Sequence, residues 1–301
     1  VITDDEIDFK KYLQETEPKM RVRPASAYID EVRRMFGDTS IAGDLLPWAK
    51  CSDMIGFRPG EVSIWAGING HGKSLLTGQV ALWFVARDVR TIMLSFEMRP
   101  ATTLKRMARQ CSGGAAPTDS WLDKFAIWTH DRLWFYDQQG VVDWKIISAV
   151  VRYCVEKHQI KHFFIDSLMK TIRGDDDYNA QKDAIDLACT LARDLDVHLH
   201  IVHHIRKSSD ERARPGKFDL KGSSAISDQA DNVLIVHRMK WDDDERLDKN
   251  GSPKPDVSLT IAKQRNGEFE GKIALWFDPR SQQFLCQPHA RPADPMQIRG
   301  V

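Results

Sequence analysis

The stretch "WAGINGHGKSLL" (residues 65–76) packs three glycines into six residues and follows them with Lys73, Ser74 and an apolar run. It matches the spacing G-x-x-x-x-G-K-[ST] at Gly67, Gly72, Lys73 and Ser74. The spacing has a chemical reason. Glycines let the backbone curl until successive N–H groups point inward, and a helix N-terminus adds positive charge at the same place. The nine residues Gly67, Ile68, Asn69, Gly70, His71, Gly72, Lys73, Ser74 and Leu75 are therefore expected to cradle a phosphate chain. Lys73 is expected to reach the β- and γ-phosphates, and the Ser74 hydroxyl to coordinate Mg²⁺.

Strand and helix signals alternate on either side of this loop. "EVSIWA" (61–66), "TIMLSF" (91–96), "RLWFY" (132–136), "KHFFID" (161–166) and "VHLHIVH" (197–203) read as strands. Segments 73–86, 100–111, 119–129, 143–158 and 178–195 read as helices. Short apolar strands alternating with amphipathic helices predict an α/β fold with a mostly parallel twisted sheet covered on both faces. After residue 222 strands follow one another at 232–238, 257–263, 272–277 and 283–286, which predicts an antiparallel extension. Residues 240–256 read as a polar hairpin loop, and the proline-bearing stretch 287–301 as a loose tail.

Two of the apolar strands end in a carboxylate. Asp166 closes "HFFID" and is the candidate second holder of the metal. Glu97 closes "LSFE" and is placed to polarise an attacking water, although a surface role opening the next helix fits its position equally well. The four histidines of "VHLHIVHH" (197–204) are spread along a strand, and His198, His200 and His204 share a face. That is strand packing rather than a zinc site, which needs ligands converging from several elements.

The chain has 301 residues with 43 basic and 43 acidic side chains, so a nucleic-acid role cannot be argued from bulk charge and would need a local basic segment. Five scattered cysteines without a C-x-x-C pair suggest reduced thiols and a cytoplasmic setting. No apolar run reaches membrane-spanning length. The chain begins at Val1, as expected of a processed chain or a piece of a longer one. Residues 1–45 form an arm. Thr3 and Glu6 make a capping-box pattern, Ile2 and Ile7 a hydrophobic staple, and together they predict a helix over about 4–14. A second helix is expected from Ala27 to Phe36.

The segments "GINGHGKS", "LSFEM", "FFIDSL", "VHHIRK", "LKGSSAISDQADNVLIVHR" and "IAKQRNG" occur in that order. Together they resemble the motifs of the RecA-like P-loop motor domain of hexameric replicative DNA helicases, namely the DnaB-type helicases and the phage primase-helicases. The resemblance covers roughly residues 45–285, which makes 46–286 the motor domain. It implies ATP, or another nucleoside or deoxynucleoside triphosphate, with Mg²⁺, in a cytoplasmic bacterial or phage-infected cell. It implies translocation on single-stranded DNA and duplex unwinding by a homo-oligomeric ring, most simply a hexamer, with primase and other replication proteins as partners. It further implies that Glu97 is the catalytic base and His204 the γ-phosphate sensor. Arg265 becomes the arginine finger with Lys263 its companion, both inserted into the neighbouring subunit's site.

The polar segment 206–222 carries Arg206, Lys207, Arg212, Arg214, Lys217 and Lys221. By composition it is a solvated loop. In the resembled family loops here line the channel and hold the DNA backbone, which makes these six residues candidate DNA contacts. "RGDDDYNAQ" (173–181) is a candidate second channel loop. The family's linker helix, which packs on an adjacent subunit, is matched here to residues 4–14. Two alternatives stay open at this level. One is a filament-forming recombination or repair ATPase on the same fold. The other is a nucleotide-switched scaffold or loader that does not unwind.

Overall fold

Alternate residues of the central strands face opposite ways, and both faces are apolar. The computed structural model describes residues 2–13, 24–30, 32–33, 43–114, 116–172, 174, 177–205, 215–216, 219–220 and 224–298. Its strands are β1 (Asp44–Leu45), β2 (Gly56–Phe57), β3 (Val62–Gly67), β4 (Thr91–Ser95), β5 (Leu133–Phe135) and β6 (His162–Asp166). They continue with β7 (His198–His204), β8 (Asn232–Arg238), β9 (Val257–Gln264), β10 (Gly271–Asp278) and β11 (Gln283–Leu285). The helices are α1 (Phe9–Leu13), α2 (Lys73–Ala86), α3 (Pro100–Ser112), α4 (Asp119–Thr129), α5 (Trp144–His158), α6 (Tyr178–Leu195) and α7 (Ala225–Gln229).

Nine strands form one sheet in the order β11-β10-β9-β8-β3-β7-β6-β4-β5. Strands β8, β3, β7, β6, β4 and β5 run parallel. Ile64, Phe163, Ile165 and Ile201 face a core shared with α5 and α6. Trp65, Phe164 and Val202 face a second core with α2 and α3. This double burial is what the uninterrupted apolar strands require. The antiparallel extension begins one strand later than expected: β8 joins β3 in parallel, and only β9, β10 and β11 alternate. The short helix α7 leads into the amino end of β8, and the sequence pattern did not disclose it.

The arm differs from its sequence reading. Residues Asp4–Glu6 form a 3-10 turn, and among the described residues the helix covers Phe9–Leu13, so it starts five residues later than expected. Thr3 makes no side-chain cap bond. The reason is tertiary. Ile2 bridges to Tyr136 beyond β5, its N–H donating to the Phe135 carbonyl at 2.8 Å, and the Tyr136 hydroxyl donates to Asp4 at 2.6 Å. Ile2, Ile7 and Tyr12 are buried, and Lys11 pairs with Glu156 of α5 at 2.7 Å. This helix therefore packs on its own chain. Helical turns also occur at Ala25–Tyr28 and at residues 29, 30, 32 and 33, with Ile29 and Val32 exposed. The tail is docked rather than loose up to residue 298. The Gln283 side chain donates to the Ala293 carbonyl and accepts the Ala293 N–H, and Pro295 is buried. Among the described residues no helix is long and apolar enough to cross a membrane.

A buried polar chain crosses the α2 side of the sheet. The Trp65 indole N–H donates to His200 Nδ1 at 3.1 Å, so neutral His200 carries its proton on Nε2 and donates to His162 Nδ1 at 2.9 Å. His162 Nε2–H in turn donates to Asp44 Oδ2 at 2.9 Å. The neighbouring His198 donates from Nδ1 to the Arg58 carbonyl and accepts from the Ser63 hydroxyl. Burial first, and for His198 and His200 neighbouring imidazoles, lower the pKa of all three. A second proton on His200 or His162 would set donor against donor. The unfolded chain thus takes up protons that the fold refuses. Stability is expected to be fully present above the ordinary histidine pKa and to fall as pH drops below about 6.5, by up to about 1.4 kcal/mol per pH unit for each histidine. Urea unfolding between pH 7 and 5 measures this, and a Trp65→Phe variant should show a shallower slope.

Candidate active site

Four parallel strands end side by side at the carboxyl edge, and each delivers one part of the site. Gly67 ends β3 and opens the glycine loop. A Cβ on Gly67 would lie 2.5 Å from the Val236 carbonyl of β8, so only glycine permits that approach. Gly72 has φ +90° and hands the chain to α2 at Lys73. The Lys73 ammonium donates to the carbonyls of Gly67 (2.8 Å) and Ile68 (3.1 Å). It is mostly buried, and desolvation lowers its pKa to about 8.

Ser74 Oγ donates to Asp166 Oδ2 at 2.6 Å, joining the first turn of α2 to the tip of β6. Burial raises the Asp166 pKa, and the Ser74 hydrogen bond opposes that. Glu97, just past β4, accepts from Ser167 Oγ at 2.7 Å and lies 3.8 Å from His204 Nε2 at the end of β7. The His204 imidazole first, and the Ser167 hydroxyl with it, hold the Glu97 carboxyl down at about 2 against the effect of burial. Two neighbouring carboxylates are thus pushed in opposite directions.

Lys73, Ser74, Glu97, Asp166 and His204 line a cleft of about 470 Å³ together with Asn69, Gly70, Gly72, Leu75, Arg106 and Gln282. Ile68 and His71 face a second cleft of about 620 Å³ on the other side of the loop, with Arg238, Lys240, Trp241 and Arg246. There His71 Nδ1 accepts the Arg238 N–H at 3.0 Å, and burial pushes the His71 pKa down to about 4. Ser74 and Asp166 offer hard oxygen ligands to the same point, a donor set that fits Mg²⁺.

Arg265 and Lys263 are elsewhere. Gln264 pairs with Asn232, and Asn232 with Ser63, at the amino end of β3. Four residues of strand, about 13 Å, separate that level from Gly67. Arg206, Lys207, Arg212, Arg214, Lys217 and Lys221 lie outside the described residues. The sequence reading missed Ser167, Arg106, Gln282 and the Trp241 cleft. Ser167 was signalled only by its place after Asp166. Arg106 was signalled by its spacing with Thr103 and Gln110, which are buried on α3.

A model of the DnaB-like helicase C-terminal domain matches residues 51–285. The chain belongs to this DnaB-like family. The replicative DNA helicase DnaB of Treponema pallidum is 32% identical over 98 residues, which are 33% of this chain and 19% of that protein. The DnaB of Leifsonia xyli is 24% identical over 228 residues, 70% of this chain and 49% of that protein. The chain therefore spans at most about half the length of these relatives. Among solved structures, an isolated ATPase domain superposes with a TM-score of 0.73 at 20% identity, over 86% of this chain and 97% of that one. A DnaB-like replicative helicase, studied with its interactions with primase, gives 0.72 at 21% identity, over 88% and 69%. These two likenesses establish the RecA-like α/β fold in this DnaB-like chain.

The Lys73 pKa implies a titration. Only the ammonium form attracts a phosphate chain, and binding raises its pKa. The affinity for ADP, followed by fluorescence competition, should therefore weaken as pH rises from 8 to 10, by up to about tenfold per unit. An affinity that stays constant over that range would show that the Lys73 ammonium keeps its proton up to pH 10, against the lowering by burial.

Proposed function

We propose that this chain is the motor of a replicative DNA helicase, which hydrolyses ATP or another nucleoside triphosphate to move along single-stranded DNA and unwind duplex as a hexameric ring. The observation that carries this reading is the convergence of Lys73, Ser74, Glu97, Asp166 and His204 on one cleft while Arg265 sits at the opposite edge of the sheet.

The chemistry follows from the residues. The backbone N–H groups of Gly67–Leu75 and the Lys73 ammonium bind the triphosphate. Lys73 exchanges its bonds to the Gly67 and Ile68 carbonyls for bonds to phosphate oxygens. Ser74 and Asp166 would hold Mg²⁺, which when bound supplies positive charge to the β- and γ-phosphate oxygens. Glu97 stays ionised, its carboxylate aimed by Ser167 at the attacking water. His204 reports the γ-phosphate to the chain that follows it, the cation-rich segment 206–222, whose Arg206, Lys207, Arg212, Arg214, Lys217 and Lys221 hold the DNA backbone. Arg265, with Lys263, enters the neighbouring protomer's cleft and neutralises charge on the transferring phosphoryl group. Turnover then requires assembly. Primase and other replication proteins are the partners, in the cytoplasm of a bacterial or phage-infected cell.

Arg265→Ala should lower turnover by about a thousandfold or more while nucleotide binding stays within a few-fold. Glu97→Gln should do the same and retain bound nucleotide. ATPase rate against protein concentration, with and without single-stranded DNA, tests the scheme. A rate per chain that is unchanged on dilution into monomers contradicts it.

A further inference from the structure

Two buried carboxylates at the amino edge of the sheet grip the turn that carries Arg265. Asp231 Oδ1 lies 3.0 Å from Arg265 Nη1, and the Asp231 carbonyl accepts the Arg265 backbone N–H at 2.9 Å. Asp231 Oδ2 accepts the Val62 N–H at 2.9 Å, at the start of β3. The next residue of the turn, Asn266, donates to Glu61 Oε1 at 2.8 Å, and Asn232 donates to Glu61 Oε2 at 3.0 Å. Arg58 stands 3.5 Å from Glu61. Glu61 and Asp231 are 4% and 3% exposed, so solvent screens neither well. Arg265 Nη2 also donates to the Gln229 carbonyl at 3.1 Å and, at 3.3 Å, to that of Asp228. Among the described residues Asp231 is the one carboxylate paired with this guanidinium, whose side chain is 41% exposed.

We propose that Asp231 and Glu61 are positioning residues for the arginine that completes the neighbouring protomer's site; the proposal rests on Arg265 acting in trans. A charge-stabilising donor is effective in proportion to how well it is held before the reaction. Here the long arginine side chain is fixed at its base by Asn266 and at its head by Asp231. Asp231 is itself bonded to β3, whose far end is the glycine loop. The group donated to one site and the phosphate cradle of the next are therefore built on a single strand, which gives successive sites a rigid mechanical link.

The test uses the full chain and measures DNA-stimulated kcat and KM. Asp231→Asn keeps an oxygen for the Val62 N–H and turns its amide N–H₂ against the guanidinium. It should lower kcat by about thirtyfold, a fraction of the loss expected for the finger itself, with KM within about twofold. In the Arg265→Ala background it should cost nothing more, whereas a merely structural role would add a further loss. Mixing Asp231→Asn with Glu97→Gln protomers should recover activity, because some interfaces then join a whole site to a held arginine. Mixing Asp231→Asn with Arg265→Ala should not. Should Asp231→Asn fail to fold by thermal melting, Glu61→Gln carries the same expectations at about fivefold. A kcat within twofold of the parent, or an added loss in the double variant, overturns the proposal. Failure of the Arg265→Ala and Glu97→Gln mixture to recover activity would instead overturn the trans reading.

Discussion

The 2.6 Å hydrogen bond from Ser74 to the buried carboxyl of Asp166 ties the phosphate-binding loop to the sheet. Everything at the carboxyl edge is placed relative to it. It joins the first turn of α2 to β6, two strands away from β3 in the sheet order. Because Asp166 is buried, its charge is costly unless compensated, and the Ser74 hydroxyl begins that compensation. Glu97 lies in the same cleft with the opposite balance, held ionised by His204 and Ser167. The two carboxylates are pushed in opposite directions, and environment rather than residue type separates them.

The sheet also acts as a spacer. Its carboxyl edge collects Lys73, Ser74, Glu97, Asp166 and His204, and its amino edge holds Arg265, Lys263, Glu61 and Asp231. A strand is stiff because its backbone bonds are paired on both sides, as β3 is by β7 and β8. Groups at its two ends are therefore held about 13 Å apart within one chain. The histidines of β7 divide along the same axis. His204 reaches the cleft at the tip, while His198 and His200 are packed against Phe57, Phe84 and Phe164.

Much of this was legible in one dimension. The loop spacing, the short apolar runs of β3 and β6, and the boundaries of α2 and α6 were readable because each depends on neighbours within a few residues. The carboxylates Asp166 and Glu97 stood out because a charge that closes an apolar strand sits where the sheet stops and a ligand can begin. The arm was misread because the Thr3–Glu6 pattern competes with Ile2 and Asp4 bonding to a strand more than 130 residues away. The docked tail was misread for a similar reason, since the partners of residues 293–295 come from β11 and the helices beside it.

By itself the sequence determined the α/β alternation, the glycine loop that opens α2 and the candidate side chains at the strand tips, since these follow from local spacing and side-chain chemistry. Tertiary structure decided which of them meet. It set Ser167 on Glu97, Arg106 on the cleft wall, and Asp231 and Glu61 beneath Arg265. Those contacts join residues up to about 200 positions apart in sequence, and only the order of strands in the folded sheet brings them within hydrogen-bonding distance.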